Sequence, residues 1–289
     1  MIRAFPVLAR LLAASAFLGI PMVSAASEDL SAALRYDDHI ASLVEVGRQE
    51  IAELWGEVGS LGGYAEAGFG SVGAPVETEV LRTAYWQEMA TIPPSDLPAI
   101  EQWLSTQLGR KIAFLTGQLD SPQGRRELQR GGRAAAAHVD TVRQGLLTRI
   151  EAETRVADLE AHRAQTWLGL INDAADQIGK LPDDDDDDWR EDLVDLDQGW
   201  TNQLAQGRWT RLAFLYARLS DEELESFLSF ASSQPGRSLF DARHDAAVAV
   251  VDHLAVAIRD EQRRLLAEAW REQADVREEE DDQEEDGEP

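Results

Sequence analysis

The chain has no cysteine, which excludes a disulfide framework, a thiolate metal site and a lipid-modified N-terminal cysteine. Lysine is scarce too: Lys111 and Lys180 are the two, and arginine supplies the other basic charges. Positive charge as a whole is outweighed, with a formal net charge of −27. Phosphates would be repelled rather than release counterions, so nucleic-acid binding is excluded and docking on anionic lipid is disfavoured. Long apolar runs are missing. Leu11 to Ile20 is about half of the roughly 20 residues that cross a bilayer. Ala246 to Ile258 is 13 residues long and broken by Asp252 and His253, which suits a buried helix. No integral membrane span is expected in the mature chain. Strand patterning is nearly absent, and no GxSxG, Walker or HExxH signature occurs. These absences leave no expected enzyme activity.

What is present starts with MIRAFPVLARLLAASAFLGIPMVSAAS. Arg3 and Arg10 precede the short apolar run, Pro21 breaks it, and Val23-Ser24-Ala25 offers small residues for cleavage. Residues 1–25 therefore read as a secretory signal peptide, cut after Ala25 with Ala26 as the neighbouring choice. A soluble periplasmic protein is the expectation.

Apolar residues recur at helical spacing in every well-patterned segment. Ile51, Leu54, Trp55 and Val58 fall at i, i+3, i+4 and i+7, and Trp167, Leu170, Ile171 and Ala174 repeat that spacing. The expected fold class is all-α: an N-terminal helical module over 26–180 and a C-terminal one over 189–276. An Asp-rich linker, 181–188, joins them, and a disordered acidic tail, 277–289, follows. Gly59 to Pro75 reads as a glycine-rich connection, and Gly131-Gly132 as a break. Ser95 reads as a helix cap. Ser220 with Glu223 three residues on spells a capping box.

Several patterns invite chemistry. Gly68-Phe69-Gly70-Ser71-Val72-Gly73 spells GxGxxG, but no strand precedes it, so a loop and no cofactor are expected. Asp183, Asp184, Asp185, Asp186, Asp187 and Asp188 are weak candidates for divalent cations. Starting at Asp183, EF-hand positions six and twelve hold Asp188 and Val194, so an ordered calcium loop fails. The five histidines form no metal-ligand pair; those beside aspartate, at His39, His244 and His253, should diverge from it on a helix. Trp55, Trp103, Trp167 and Trp209 occupy apolar helical positions and read as core.

A repeat stands out. At an offset of 127 residues, QWLSTQLGRKIAF matches LSFASSQPGRSLF: Phe230 falls on Trp103, Ser233 on Thr106, Gly236 on Gly109 and Arg237 on Arg110. DSPQGRR at Asp120 to Arg126 is a third relative. A hydroxyl caps the second helix, glycine admits a close backbone, and arginine snorkels outward. The repeat suggests a partial internal duplication built on helix corners. Trp103, Gly109, Arg110, Tyr216, Phe230, Ser233, Gly236 and Arg237 are the candidate corner and interaction residues.

The block FLYARLSDEELESFLSFASSQPGRSLFDA, Phe214 to Ala242, resembles the bacterial domain of unknown function 2059 family. Tyr216, Leu219, Ser220, Glu223, Leu224, Phe230, Ser233 and Gly236 sit where that pattern wants them. Ala231 departs from it, as does the placement of Gln234-Pro235. The resemblance implies an all-helical exported protein and brings no catalytic residues. The expected function is a non-enzymatic envelope module that binds another envelope protein or self-associates through helix faces. An acidic protein binding divalent cations or a basic ligand is the alternative, and an unrecognised hydrolase is a third.

Overall fold

A computed structural model describes residues 36–57, 64–178, 200 and 206–285. The expected signal peptide and the Asp183 to Asp188 run lie outside the described residues. Those described are helical and include no strand. In chain order the helices are α1 (Tyr36–Glu57), α2 (Tyr64–Val72), α3 (Thr78–Met89), α4 (Leu97–Ser105), α5 (Gln107–Asp120), α6 (Pro122–Ala137), α7 (Thr141–Thr154), α8 (Val156–Ile178), α9 (206–216), α10 (Asp221–Ala231) and α11 (Gln234–Glu285).

Among the described residues, two apolar cores bring distant helices together, and α11 contributes to both. The first combines Ile51, Leu54 and Trp55 of α1 with Trp167, Leu170 and Ile171 of α8 and Leu254 and Ile258 of α11. The second combines Ile112 of α5, Leu147 and Ile150 of α7, Leu212 and Tyr216 of α9, Phe227 and Leu228 of α10, and Phe240 of α11. Each core takes residues from both sides of 181–188, and the described residues from Asp37 onward fall in one compact unit. At 1.5 Å per residue the 52 residues of α11 span about 78 Å, and its buried apolar residues, from Leu239 to Leu266, are shared between the two cores.

The glycines correct two expectations. Gly59 to Pro75 is not a continuous loop, because α2 occupies its centre. A Cβ on Gly68 would come within 2.5 Å of the Trp55 ring, and one on Gly70 within 3.0 Å of Leu265. The GxGxxG glycines thus admit bulky neighbours to a helix surface. Likewise α6 runs unbroken through Gly131 and Gly132, which face Phe214 and Thr210 of α9. Close approach compensates for the poor helix propensity of glycine at both places.

Gly145, Gly169 and Gly207 have no such neighbour. A Cβ added to Gly145 in α7 or Gly169 in α8 would meet nothing within 4 Å. Gly145→Ala and Gly169→Ala should each stabilise the fold by about 0.5–1 kcal/mol, read as a raised urea midpoint at unchanged m-value.

Helix ends show two further differences. α4 begins after Asp96 rather than Ser95, and Asp96 makes no side-chain cap bond there. α11 continues to Glu285 where a solvated tail was expected from Arg277. Glutamate, glutamine and arginine are good helix formers, and extending an existing helix avoids the cost of nucleation. The Ser220–Glu223 capping box is present in both directions. No helix among the described residues is long and apolar enough to cross a membrane.

Candidate functional site

The repeated corners are local hydrogen-bond devices. Thr106 Oγ1 donates to the Trp103 carbonyl at 2.6 Å and accepts from the Gly109 amide at 2.9 Å. Ser121 does the same between Gln118 and Gly124, at 2.6 and 3.0 Å. Ser233 repeats it between Phe230 and Gly236, at 2.6 and 3.2 Å. Each hydroxyl therefore satisfies a carbonyl that ends one helix and an amide that starts the next. A Cβ on Gly109, Gly124 or Gly236 would overlap the same carbonyl oxygen.

The first and third corners also touch each other. The rings of Trp103 and Phe230 stack with centroids 4.1 Å apart and planes 7° from parallel. Lys111 Nζ donates to both carboxylate oxygens of Glu223 at 2.8 Å, while Ser238 Oγ donates to Asp96 Oδ2 at 2.6 Å. The 127-residue offset carries Lys111 onto Ser238 and Asp96 onto Glu223, so the second contact is the reciprocal of the first. Arg110 is exposed, and Arg237 reaches Glu153 at 3.3 Å. This arrangement packs helices; it gathers no acid, base or nucleophile around a concavity.

A concavity lies instead beside the second core, whose Ile112, Leu212, Tyr216, Phe227 and Phe240 form part of its wall. A cavity of about 140 Å³ is lined from α1 by His39 and Ser42, from α5 by Ile112 and Thr116, and from α8 by Glu160 and Arg163. Arg211, Leu212 and Tyr216 of α9, Phe227 of α10, and Phe240, Arg243 and His244 of α11 close the other sides. Of the eight expected site residues, Tyr216 is the one that reaches it.

Three polar atoms of this lining are buried without a hydrogen-bond partner: Glu160 Oε2, Arg163 Nε and His244 Nε2. Glu160 and Arg163 are 7% and 6% exposed. Arg163 is otherwise held by Glu50, whose Oε1 accepts from Arg163 at 2.9 Å while Oε2 accepts from the Trp167 indole at 2.9 Å. His244 Nδ1 lies 2.8 Å from Asp245 Oδ1, a contact between sequence neighbours expected to diverge. The short aspartate side chain turns along the helix surface to meet the ring. Asp252 is bonded to His162 of α8 at 2.8 Å, and its neighbour His253 is exposed.

Burial pushes the Glu160 carboxyl above its ordinary range, against the pull of Arg163, Arg211 and Arg208 and with help from Glu50. Burial likewise pushes the Tyr216 phenol up to about 12, although Arg243 and Arg211 favour its ionised form. In both, desolvation outweighs the arginines. A raised folded-state value means that the Glu160 contribution is fully present below the unfolded carboxyl's pKa and is lost as pH rises through the folded one. Glu160→Gln should therefore stabilise the protein at neutral pH and leave it unchanged in acid, which urea unfolding from about pH 4 to about pH 8 would read.

At the α7–α8 junction Arg155 adopts φ 55°, the left-handed region, and lies 3.2 Å from Asp158 and 3.5 Å from Asp241 and Asp245. The Thr116 and Thr154 hydroxyls donate to carbonyls one turn back, at 3.0 and 2.8 Å, so neither is paired with a base. Among the described residues, no group of three or more His, Asp or Glu side chains could hold a metal ion.

The sequence carried a signal for this site. Glu160 and Arg163 continue the apolar stripe of Ala164, Trp167, Leu170, Ile171 and Ala174 on α8, and Arg243 and His244 fall between Phe240 and Ala247 on α11. Charge at a core-facing register marks a buried polar site. Searches of family models, curated proteins and solved structures find nothing that matches the chain.

Proposed function

We propose that this chain is an exported, non-enzymatic helical binding protein of the bacterial envelope, with the cavity beside its second core as the binding site. The signal-peptide pattern and the likeness to the domain of unknown function 2059 family support export. The observation that carries binding is that three residues of one cavity wall, Glu160, Arg163 and His244, each hold a buried polar atom without a hydrogen-bond partner. Folded proteins leave few such atoms, and several in one concavity are what a ligand or ordered water satisfies. The threonine hydroxyls bonded to the backbone favour binding over hydrolysis.

A thermal-shift panel of small carboxylates, alcohols and amines on the full chain tests this. A compound present at about 100 times its Kd should add about 2.7 kcal/mol, several degrees in melting temperature for a chain of this size. If no compound moves the melt, the cavity holds only water and the reading fails. A second reading, assembly through helix faces, draws on Phe114 and Val142, which are 59% and 71% exposed. Light scattering that finds a monomer at every concentration would remove it.

A further inference from the structure

We infer that the cavity takes a small uncharged molecule, chiefly apolar and about the size of one six-membered ring, seated against the aliphatic and aromatic side chains of its wall. This rests on the binding role proposed above and names the class of ligand. The charged groups of the wall already have partners. Arg155 pairs with Asp158, Asp241 and Asp245, and Arg163 pairs with Glu50. Arg211 and Arg243 have interactions of their own as well. Glu160 is held toward its neutral form by burial, and the Tyr216 phenol, pushed up to about 12, is neutral at pH 7. Glu160 Oε2, Arg163 Nε and His244 Nε2 are enclosed within the wall, so the class of ligand is set by the groups that do face the space. A charged ligand would give up its hydration there without gaining an unpaired counter-charge.

What faces the space is mostly carbon. α1 contributes Leu43, α8 Leu159, α9 Leu212 and Leu215, α10 Phe227 and α11 Phe240. The Thr116 and Thr154 hydroxyls are bonded to carbonyls of their own helices, which leaves those of Ser42 and Tyr216 as the other hydroxyls of the wall. These two can meet one hydroxyl or carbonyl of a ligand, but they bring no charge. At about 140 Å³ the space is close to the engineered apolar cavity of about 150 Å³ that stays dry and admits one benzene. An uncharged six-membered ring or short branched chain fits both the volume and the polarity.

Isothermal titration of the full chain at neutral pH with toluene, benzyl alcohol, benzoate and benzylamine holds the ring constant and changes the charge. The tighter of toluene and benzyl alcohol should bind at least tenfold tighter than either charged compound. Ala247→Leu puts a larger side chain into the space from a wall position that is 1% exposed, and should weaken that neutral ligand at least tenfold. Melting curves establish that the variant folds, and Thr116→Leu, at a half-buried wall position, makes the same test if it does not. Benzoate or benzylamine binding within tenfold of the neutral ligand would overturn the uncharged class and keep the binding role. Neutral-ligand binding unchanged in a folded, filled variant would place the ligand elsewhere and overturn the site. No binding by any of the four, with a flat thermal-shift panel, would remove the binding role itself.

Discussion

Glu50→Ala is expected to destabilise the protein by about 3–5 kcal/mol, the cost of stranding a buried charge. Glu50 is the acceptor for two groups in the first core: the Arg163 guanidinium and the indole N–H of Trp167, which is 0% exposed. Removing the carboxylate leaves a cation whose side chain is 7% exposed without its counter-charge and orphans the indole donor. Glu50→Gln keeps one acceptor and removes only charge, so its loss should be smaller, about 1–3 kcal/mol. Urea denaturation at constant m-value separates the two. A cost under about 1 kcal/mol for the alanine variant would show that Arg163 finds another partner, and the picture of an arginine committed to Glu50 would fail with it.

Gly236→Ala should cost about 3 kcal/mol, at the upper end of overpacking penalties, because the added methyl overlaps the Phe230 carbonyl. That oxygen already accepts from the Ser233 hydroxyl and the Ser233 amide, at 2.6 and 2.9 Å. It cannot move aside without breaking both. The corner also positions Phe230 on Trp103, so its distortion reaches the second core. Ser233→Ala, which removes the hydroxyl and leaves the backbone geometry, should cost about 1 kcal/mol. The same glycine-to-alanine change at Gly145 is expected to stabilise. A melting-temperature comparison that gave both glycine variants the same sign would show that backbone crowding does not govern the corner.

The corners were legible in the sequence because their hydrogen bonds join residues three positions apart. Ser, Gly and the aromatic residue are all within one short window, and chain connectivity brings them together. The capping box at Ser220 and Glu223 was legible for the same reason. The all-helical class followed from apolar spacing, which depends on each helix having one buried face. Gly68, Gly70, Gly131 and Gly132 misled, since a glycine that admits Trp55 or Phe214 looks in sequence like one that ends a helix. The difference lies in a neighbour distant along the chain.

The cavity shows the other limit. Its walls come from α1, α5, α7, α8, α9, α10 and α11, and Glu160 and His244 are 84 residues apart in the chain. Their charge in an apolar register could flag each as unusual, but not that they face one space. By itself the sequence determined the all-helical class, the Ser220–Glu223 capping box and the hydrogen-bonded corners, because local spacing and short-range donors decide those. Only the tertiary structure decided that α11 joins both cores and that the buried carboxyl, guanidinium and imidazole share a cavity. Such convergence depends on how distant helix faces pack, and packing is a property of the whole set of side chains rather than of any one segment.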